Sequence, residues 1–170
     1  MSTLHAVVRS IDAFTDYSGK LLAWLSLLMA ALTALIVVLR YGFNIGSITS
    51  QEAVIYMHGT LFMLGAAYTL KTEGHVRVDI FYQRFSNRTR AWVNSLGGIV
   101  FLLPLCLFIF GVSWNYVVES WAIRETSPEP GGIPAVFLLK TLLPVMALNL
   151  LLQGTAETLR NALFLVEDHS

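Results

Sequence analysis

Only one cysteine occurs in the chain, Cys106, and it lies inside an apolar run. An internal disulfide and a cysteine-based metal site are therefore excluded, and the thiol reads as packing filler. Charge is scarce as well: Asp, Glu, Lys and Arg make up 13% of the 170 residues, against about 25% in soluble domains. With 55% hydrophobic residues, the composition is that of a membrane protein. The formal net charge is zero, which removes the cationic surplus that a nucleic-acid partner requires. Also missing are a CxxC pair, a glycine-rich phosphate loop, a GxSxG elbow and any cluster of histidine and carboxylate ligands. Neither an enzyme nor a cofactor-binding protein is expected from such a chain.

What the chain has instead is four long apolar runs. Leu21 to Leu39 holds no charge and is bracketed by Lys20 and Arg40; at about 1.5 Å per residue it just crosses a hydrocarbon layer of about 30 Å. Residues 53–70 form a second run, with His58 as its one ionisable interior residue. Residues 91–118 form a third, longer than a perpendicular crossing needs, so tilt or an extension beyond the lipid is expected, with a bend at Pro104. Residues 134–152 form a fourth, opened by Pro134 and interrupted by Lys140 and Pro144. Lipid offers no water to unpaired backbone groups, so all four read as helices. Ahead of them, residues 3–19 place Leu4, Val7, Val8, Ile11 and Phe14 at helical spacing, with Arg9, Asp12 and Asp16 elsewhere on the wheel. This lead is expected to be an amphipathic helix lying along the inner membrane surface. Residues 153–166 read as a helical extension of the last span. The late start of the first run and the Arg40 that follows it argue against a cleaved signal peptide. No repeat, low-complexity tract or linker divides the chain, so a single membrane domain is expected.

Basic residues alternate in density between the loops. Arg9 and Lys20 stand before the first run, Lys71, Arg77, Arg84, Arg88 and Arg90 between the second and third, and Arg160 after the fourth, whereas the other side has Arg40 and Arg124. The positive-inside rule then makes both termini and the 71–90 loop cytoplasmic. In that loop Val78, Phe81, Tyr82 and Phe85 recur at offsets three, four and seven, the pattern of an interfacial helix with Asp79 and Arg84 off its stripe.

Several polar residues carry two readings each. Glu52 closes the capping-box pattern Thr49-Ser-Gln-Glu52, in which Thr49 caps the helix and Glu52 reaches back to the Thr49 amide; the alternative is an ion pair, with Arg40 or with a partner's cation. Glu52, Gly59 and Ala66 recur every seven residues on nearly one face, where small groups admit another helix from this chain or from a partner. His58, about 9 Å along the helix from Glu52, is expected to be a neutral imidazole making one interhelical hydrogen bond. Lys140, equally deep in the fourth run, is expected to extend its ammonium outward to water, with pairing to Glu119, Glu125 or a partner's carboxylate as the second reading. The Ser127 to Gly132 stretch, SPEPGG, is a turn.

The order of several short motifs resembles one family: the small membrane (permease) subunit of tripartite ATP-independent periplasmic (TRAP) transporters. The matching pieces are LRYGFN at Leu39 to Asn44, SQE before the second run, and LGAAYTLKTEGHVRVD at Leu64 to Asp79, in which His75, Val76, Val78 and Asp79 form the most specific element. The resemblance implies an all-α integral membrane bundle of four transmembrane helices with an amphipathic N-terminal helix, in a bacterial inner membrane. It implies a large membrane subunit as partner, which holds the substrate and sodium sites, and an extracytoplasmic binding protein that delivers a small organic anion, often a carboxylate. The small subunit would stiffen or widen the large one's stationary scaffold. Arg40, Glu52, His75 and Asp79, the matched polar positions, would then fix local geometry or contact the large subunit, and none would bind solute. Two other classes stay open at the level of the sequence. A membrane anchor for an electron-transfer enzyme would need haem-ligating histidines in the spans, where His58 stands alone. A homo-oligomeric pore is suggested by the small-residue face of the second run.

Overall fold

The computed structural model describes residues 2–75, 82 and 84–167, and among these the chain is all helical. Helix α1 is Ser2–Phe43, α2 Ile48–Lys71, α3 Asn87–Gly97, α4 Leu103–Ala122 and α5 Val136–Glu167. A π-helical turn, Gly98–Leu102, joins α3 to α4 without a break. Its cause is Pro104, at the start of α4. Proline has no N–H to offer the carbonyl four residues back, and the chain widens by one turn where that bond would fall. Four stretches are long and apolar enough to cross a membrane: α1, α2, the α3 to α4 unit at Asn87–Ala122, and α5.

The helices end where the backbone turns left-handed. Asn44, Glu73 and Arg124 have φ of 55°, 54° and 47°. After the last two, the Gly74 and Glu125 amides donate back to the Thr69 and Ser120 carbonyls at 2.9 and 3.0 Å, the reversal that satisfies a helix's last carbonyls. At the other ends, Ser47 caps α2 through the Ser50 amide and Ser86 caps α3 through the Thr89 amide.

α5 is the centre of the bundle, in contact with α1, α2, α3 and α4. Between lipid-exposed helices there is no hydrophobic driving force, so close approach and polar links must hold the frame. Glycines give the approach: a methyl group at Gly154 on α5 would meet Leu102 at 2.7 Å, and one at Gly98 would collide with Thr158. Small residues line the same seams, with Ala147 and Ala156 of α5 and Cys106 of α4 buried.

The lead differs from its expected form. It is helical, but it runs straight on into the first span as one helix of 42 residues, about 63 Å long. Its buried residues are Val8, Thr15 and Gly19, while Leu4, Val7 and Phe14 are exposed. The polar side of the lead therefore faces the protein, for a reason given by its partners below. The fourth run also begins later than its proline: Pro134 lies in the turn before α5, and Pro144 is accommodated inside it. The expected interfacial helix around Val78 and Phe81 falls largely outside the described residues, as does Asp79. Tyr82 is described, and its hydroxyl exchanges hydrogen bonds with the Asn94 amide at 2.9 and 3.1 Å.

Candidate functional site

Two polar brackets hold the ends of this frame. At the end carrying the chain termini, α1 and α5 run side by side, and His5 meets Glu167 at 3.1 Å. Deeper in, Gln153 of α5 is wholly buried. Its Oε1 accepts from the Thr15 hydroxyl at 2.7 Å, and its Nε2 donates to Asp12 at 3.1 Å and to Glu157 at 3.3 Å. Arg160 binds Asp12 at 2.6 Å and Glu157 at 2.5 Å. Lys71, at the end of α2, completes the bracket through Asp16 at 2.5 Å and the Asp12 carbonyl at 3.2 Å. The hydrogen bond from Lys71, opposed by partial burial, holds the Asp16 carboxyl below its ordinary range. The polar face of the lead is turned inward because α5 and α2 supply these partners. None of Asp12, Thr15, Gln153, Glu157 and Arg160 stands out locally in the sequence. The available signal was complementary spacing: Asp12 and Asp16 four apart on one helix, and Gln153, Glu157 and Arg160 at offsets four and seven on another.

The opposite bracket fastens α2, the 123–135 turn and α5. Glu52 accepts from the Ser127 hydroxyl and, at 2.6 Å, from the Ile133 amide; Thr49 donates to the Gly131 carbonyl at 2.6 Å. Gly132 is required here, since a methyl on it would collide with Ser127 and Glu52. This corrects the capping-box reading. Ser47 is the cap, Thr49 sits within the first turn of α2 and turns outward to the loop, and Glu52 caps a partner segment rather than its own helix. The Glu52–Arg40 pair is not formed either: Arg40 is exposed at the end of α1, without an ion-pair partner among the described residues.

Lys140 takes the second of its two readings, pairing with Glu125. Its ammonium does not run free to water but meets Glu125 at 2.5 Å and lies 4.0 Å over the Tyr116 ring. Glu125 in turn accepts from the buried Ser120 at 2.7 Å. The hydrogen bonds from Lys140 and then from Ser120 hold the Glu125 carboxyl below its ordinary range, against the opposing effect of burial. Trp121 reinforces the corner by donating to Thr141 at 2.9 Å and packing edge-on against Phe137 with ring centres 4.7 Å apart.

Of the other sequence-derived candidates, Gly59 faces α5, where a methyl group would touch Leu139 at 3.1 Å. Ala66 and His75 line an open groove between α1 and α2. The structure thus brings Glu52 and Lys140 to the same end of the bundle, leaves Arg40 exposed beyond it and puts His75 at the opposite end. Among the described residues His58 makes no interhelical hydrogen bond; it is exposed and stacks on Phe62, with ring centres 6.2 Å apart. Among the described residues no group of three or more His, Cys, Asp or Glu side chains could hold a metal ion.

The described helices thus form an apolar frame braced at both ends by its own charges. Residues 29–164 match the model of the tripartite ATP-independent periplasmic transporters, DctQ component. The chain belongs to that family. It is a small TRAP permease subunit, a component of a transporter and not an enzyme. Among its relatives, the C4-dicarboxylate TRAP transporter small permease protein DctQ of Vibrio cholerae serotype O1 is 27% identical over 126 residues, covering 71% of this chain and 54% of that protein. A Haemophilus influenzae protein described as a TRAP transporter small permease protein is 31% identical over 109 residues, covering 64% and 67%. The matched part is thus about half the length of the Vibrio relative. No solved structure matches this small TRAP subunit.

Proposed function

We propose that this subunit braces the large membrane subunit of a TRAP transporter during ion-coupled uptake of a small organic anion such as a carboxylate. The observation that carries the reading is how the charges are used. Asp12, Asp16, Lys71, Glu125, Lys140, Glu157 and Arg160 are all engaged in pairs within the chain, so the membrane-embedded bundle is stiffened rather than left with open charged sites along a solute path. The relatives point the same way: the Vibrio protein is named for C4-dicarboxylates. In this reading solute and sodium bind to the large subunit, the extracytoplasmic binding protein delivers the anion to the complex, and both termini of this chain lie in the cytoplasm. Arg40 and His75, which the two brackets do not use, and Asp79, which lies outside the described residues, are contact positions for the large subunit.

Reconstituted vesicles provide the test. Vesicles holding both membrane subunits, with the binding protein outside and an inward sodium gradient, should accumulate a C4-dicarboxylate. Vesicles with this chain alone should not. Asp79→Ala should lower recovery of the two-subunit complex from detergent and leave capture of the anion by the binding protein unchanged. Accumulation by this chain alone would refute the supporting role.

A further inference from the structure

Helix α2 is at least half-buried along most of its length, yet beyond Ile48 and Thr49 in its first turn four of its residues lie open: Gln51, Ile55, His58 and Phe62. Their spacing of four, three and four puts them in one line along the helix, the repeat by which a single helix packs on another. Ile55 and Phe62 are 58% and 71% exposed. The line continues to Gly65, where an added methyl group would meet nothing within 4 Å, so the seam runs from a ridge at Phe62 into a notch. Beside the notch lies the groove between α1 and α2, about 450 Å³, lined by Gly19, Ala23, Phe62 and Ala66.

His58 decides what covers this seam. It stands in the apolar span, with its ring on Phe62 and no hydrogen-bond partner among the described residues. Two hydroxyls in the apolar run of α1 are satisfied within their own helix: Ser26 and Thr33 donate to the Ala23 and Met29 carbonyls. An imidazole donor and acceptor facing hydrocarbon would be left unpaired, which is costly. A second copy of the chain fits poorly. Two parallel seams about a two-fold axis would put notch against notch at Gly65 and ridge against ridge at Phe62, leaving a gap beside a clash.

We propose that this seam receives one transmembrane helix of the large membrane subunit, and that the docking helix presents a hydroxyl, amide or carboxylate side chain to His58 and a bulky apolar side chain to the notch at Gly65. The assignment rests on the supporting-subunit reading above. A seam one helix wide asks for one helix, and a polar group within it fixes that helix's register.

The experiment uses the complex co-expressed with its large subunit, with a photoreactive benzoylphenylalanine placed at position 55 or 62. Both positions should cross-link to the same helix of the large subunit. His58→Leu should lower recovery of the complex several-fold, and His58→Gln, which keeps a donor and an acceptor, should restore it to within about twofold of wild type, with the helical content of the isolated small subunit unchanged in both. Cross-links that reach only lipid or a second copy of this chain would overturn the proposal, as would complex recovery from His58→Leu equal to wild type. If the large subunit co-purifies with the unsubstituted chain while both cross-links miss it, the seam is wrong and the partnership stands. If it does not co-purify at all, both fail.

Discussion

Thr15 and Gln153, 138 residues apart, share a hydrogen bond of 2.7 Å in a site sealed from solvent. The bond ties the lead of the first helix to the far part of the last one. It also gives Gln153, the largest fully buried side chain in the molecule, a partner for its oxygen, while Asp12 and Glu157 take its nitrogen.

Removing one side of such a buried pair leaves a polar group without a partner, at about 1–3 kcal/mol. Gln153→Leu is therefore expected to lower the melting temperature in detergent more than Thr15→Val does, because it also frees Asp12 from one donor. The double variant should lose less than the sum of the two single ones. A thermal-melt cycle over the four proteins checks this, and strict additivity would show that the two side chains do not interact.

Glu52→Gln keeps one acceptor oxygen where the carboxylate has two, so Ser127 and the Ile133 amide compete for it. Amide exchange at Ile133 should rise about tenfold or more, as expected for loss of about 1.5 kcal/mol, while the first-turn amides of α2, capped by Ser47, stay protected. Faster exchange confined to that first turn would restore the capping-box reading.

How much of this was legible in the sequence differs by feature. The four apolar stretches were visible because about twenty uncharged residues are a local signal, and the all-helical bundle follows from the backbone's need for partners in lipid. The brackets were not visible, because Asp12 and Arg160 meet across 148 residues and nothing local announces a long-range pair. The lead keeps the expected stripe, with Leu4, Val7 and Phe14 outside, but not the expected course along the surface: it runs on into the first span, held there by partners on α5 and α2 that no local pattern announces. For Lys140 the sequence offers both water and Glu125, and it does not choose between them, because Glu125 lies fifteen residues away in a turn whose path no local pattern reveals. The exposure of His58 depends on where α1 and α5 pack against α2, whereas the cap at Ser47 is local and competes in the sequence with Thr49 two residues on.

The Glu125 carboxyl is held below its ordinary value by Lys140 first and Ser120 second, so its contribution follows a defined sign. A depressed folded value gives stability that is complete above the unfolded value, about 4.3, and lost as pH falls through the folded one. The melting temperature should thus decline as pH falls below about 4.3, and Glu125→Gln should flatten that decline while lowering stability at pH 7. An identical slope in both proteins would remove Glu125 from the account. Lys140→Met, which leaves Glu125 with Ser120 alone, should make the 123–135 turn more sensitive to protease.

Gly19 passes so close to the Tyr68 ring that an added side chain would collide with the root of the ring, which cannot swing away as a flexible tip would. Gly19→Val is expected to cost about 1–3 kcal/mol, outweighing the few tenths a helix gains by losing a glycine. Gly42→Val, at a position where an added Cβ meets nothing within 4 Å, should not show this loss. Detergent melting of the two variants separates crowding from backbone preference.

The unbroken first helix has a mechanical corollary. A rod about 63 Å long, in which the one glycine between Asp16 and Arg40, Gly19, is pressed against the Tyr68 ring and no proline intervenes, has no free hinge by which to absorb a sideways push. Pressure applied near Arg40 must be carried down the shaft to Asp12 and Asp16 and handed there to α5 and α2, so that the assembly tilts as one lever and any strain from a moving neighbour surfaces at the opposite face of the membrane.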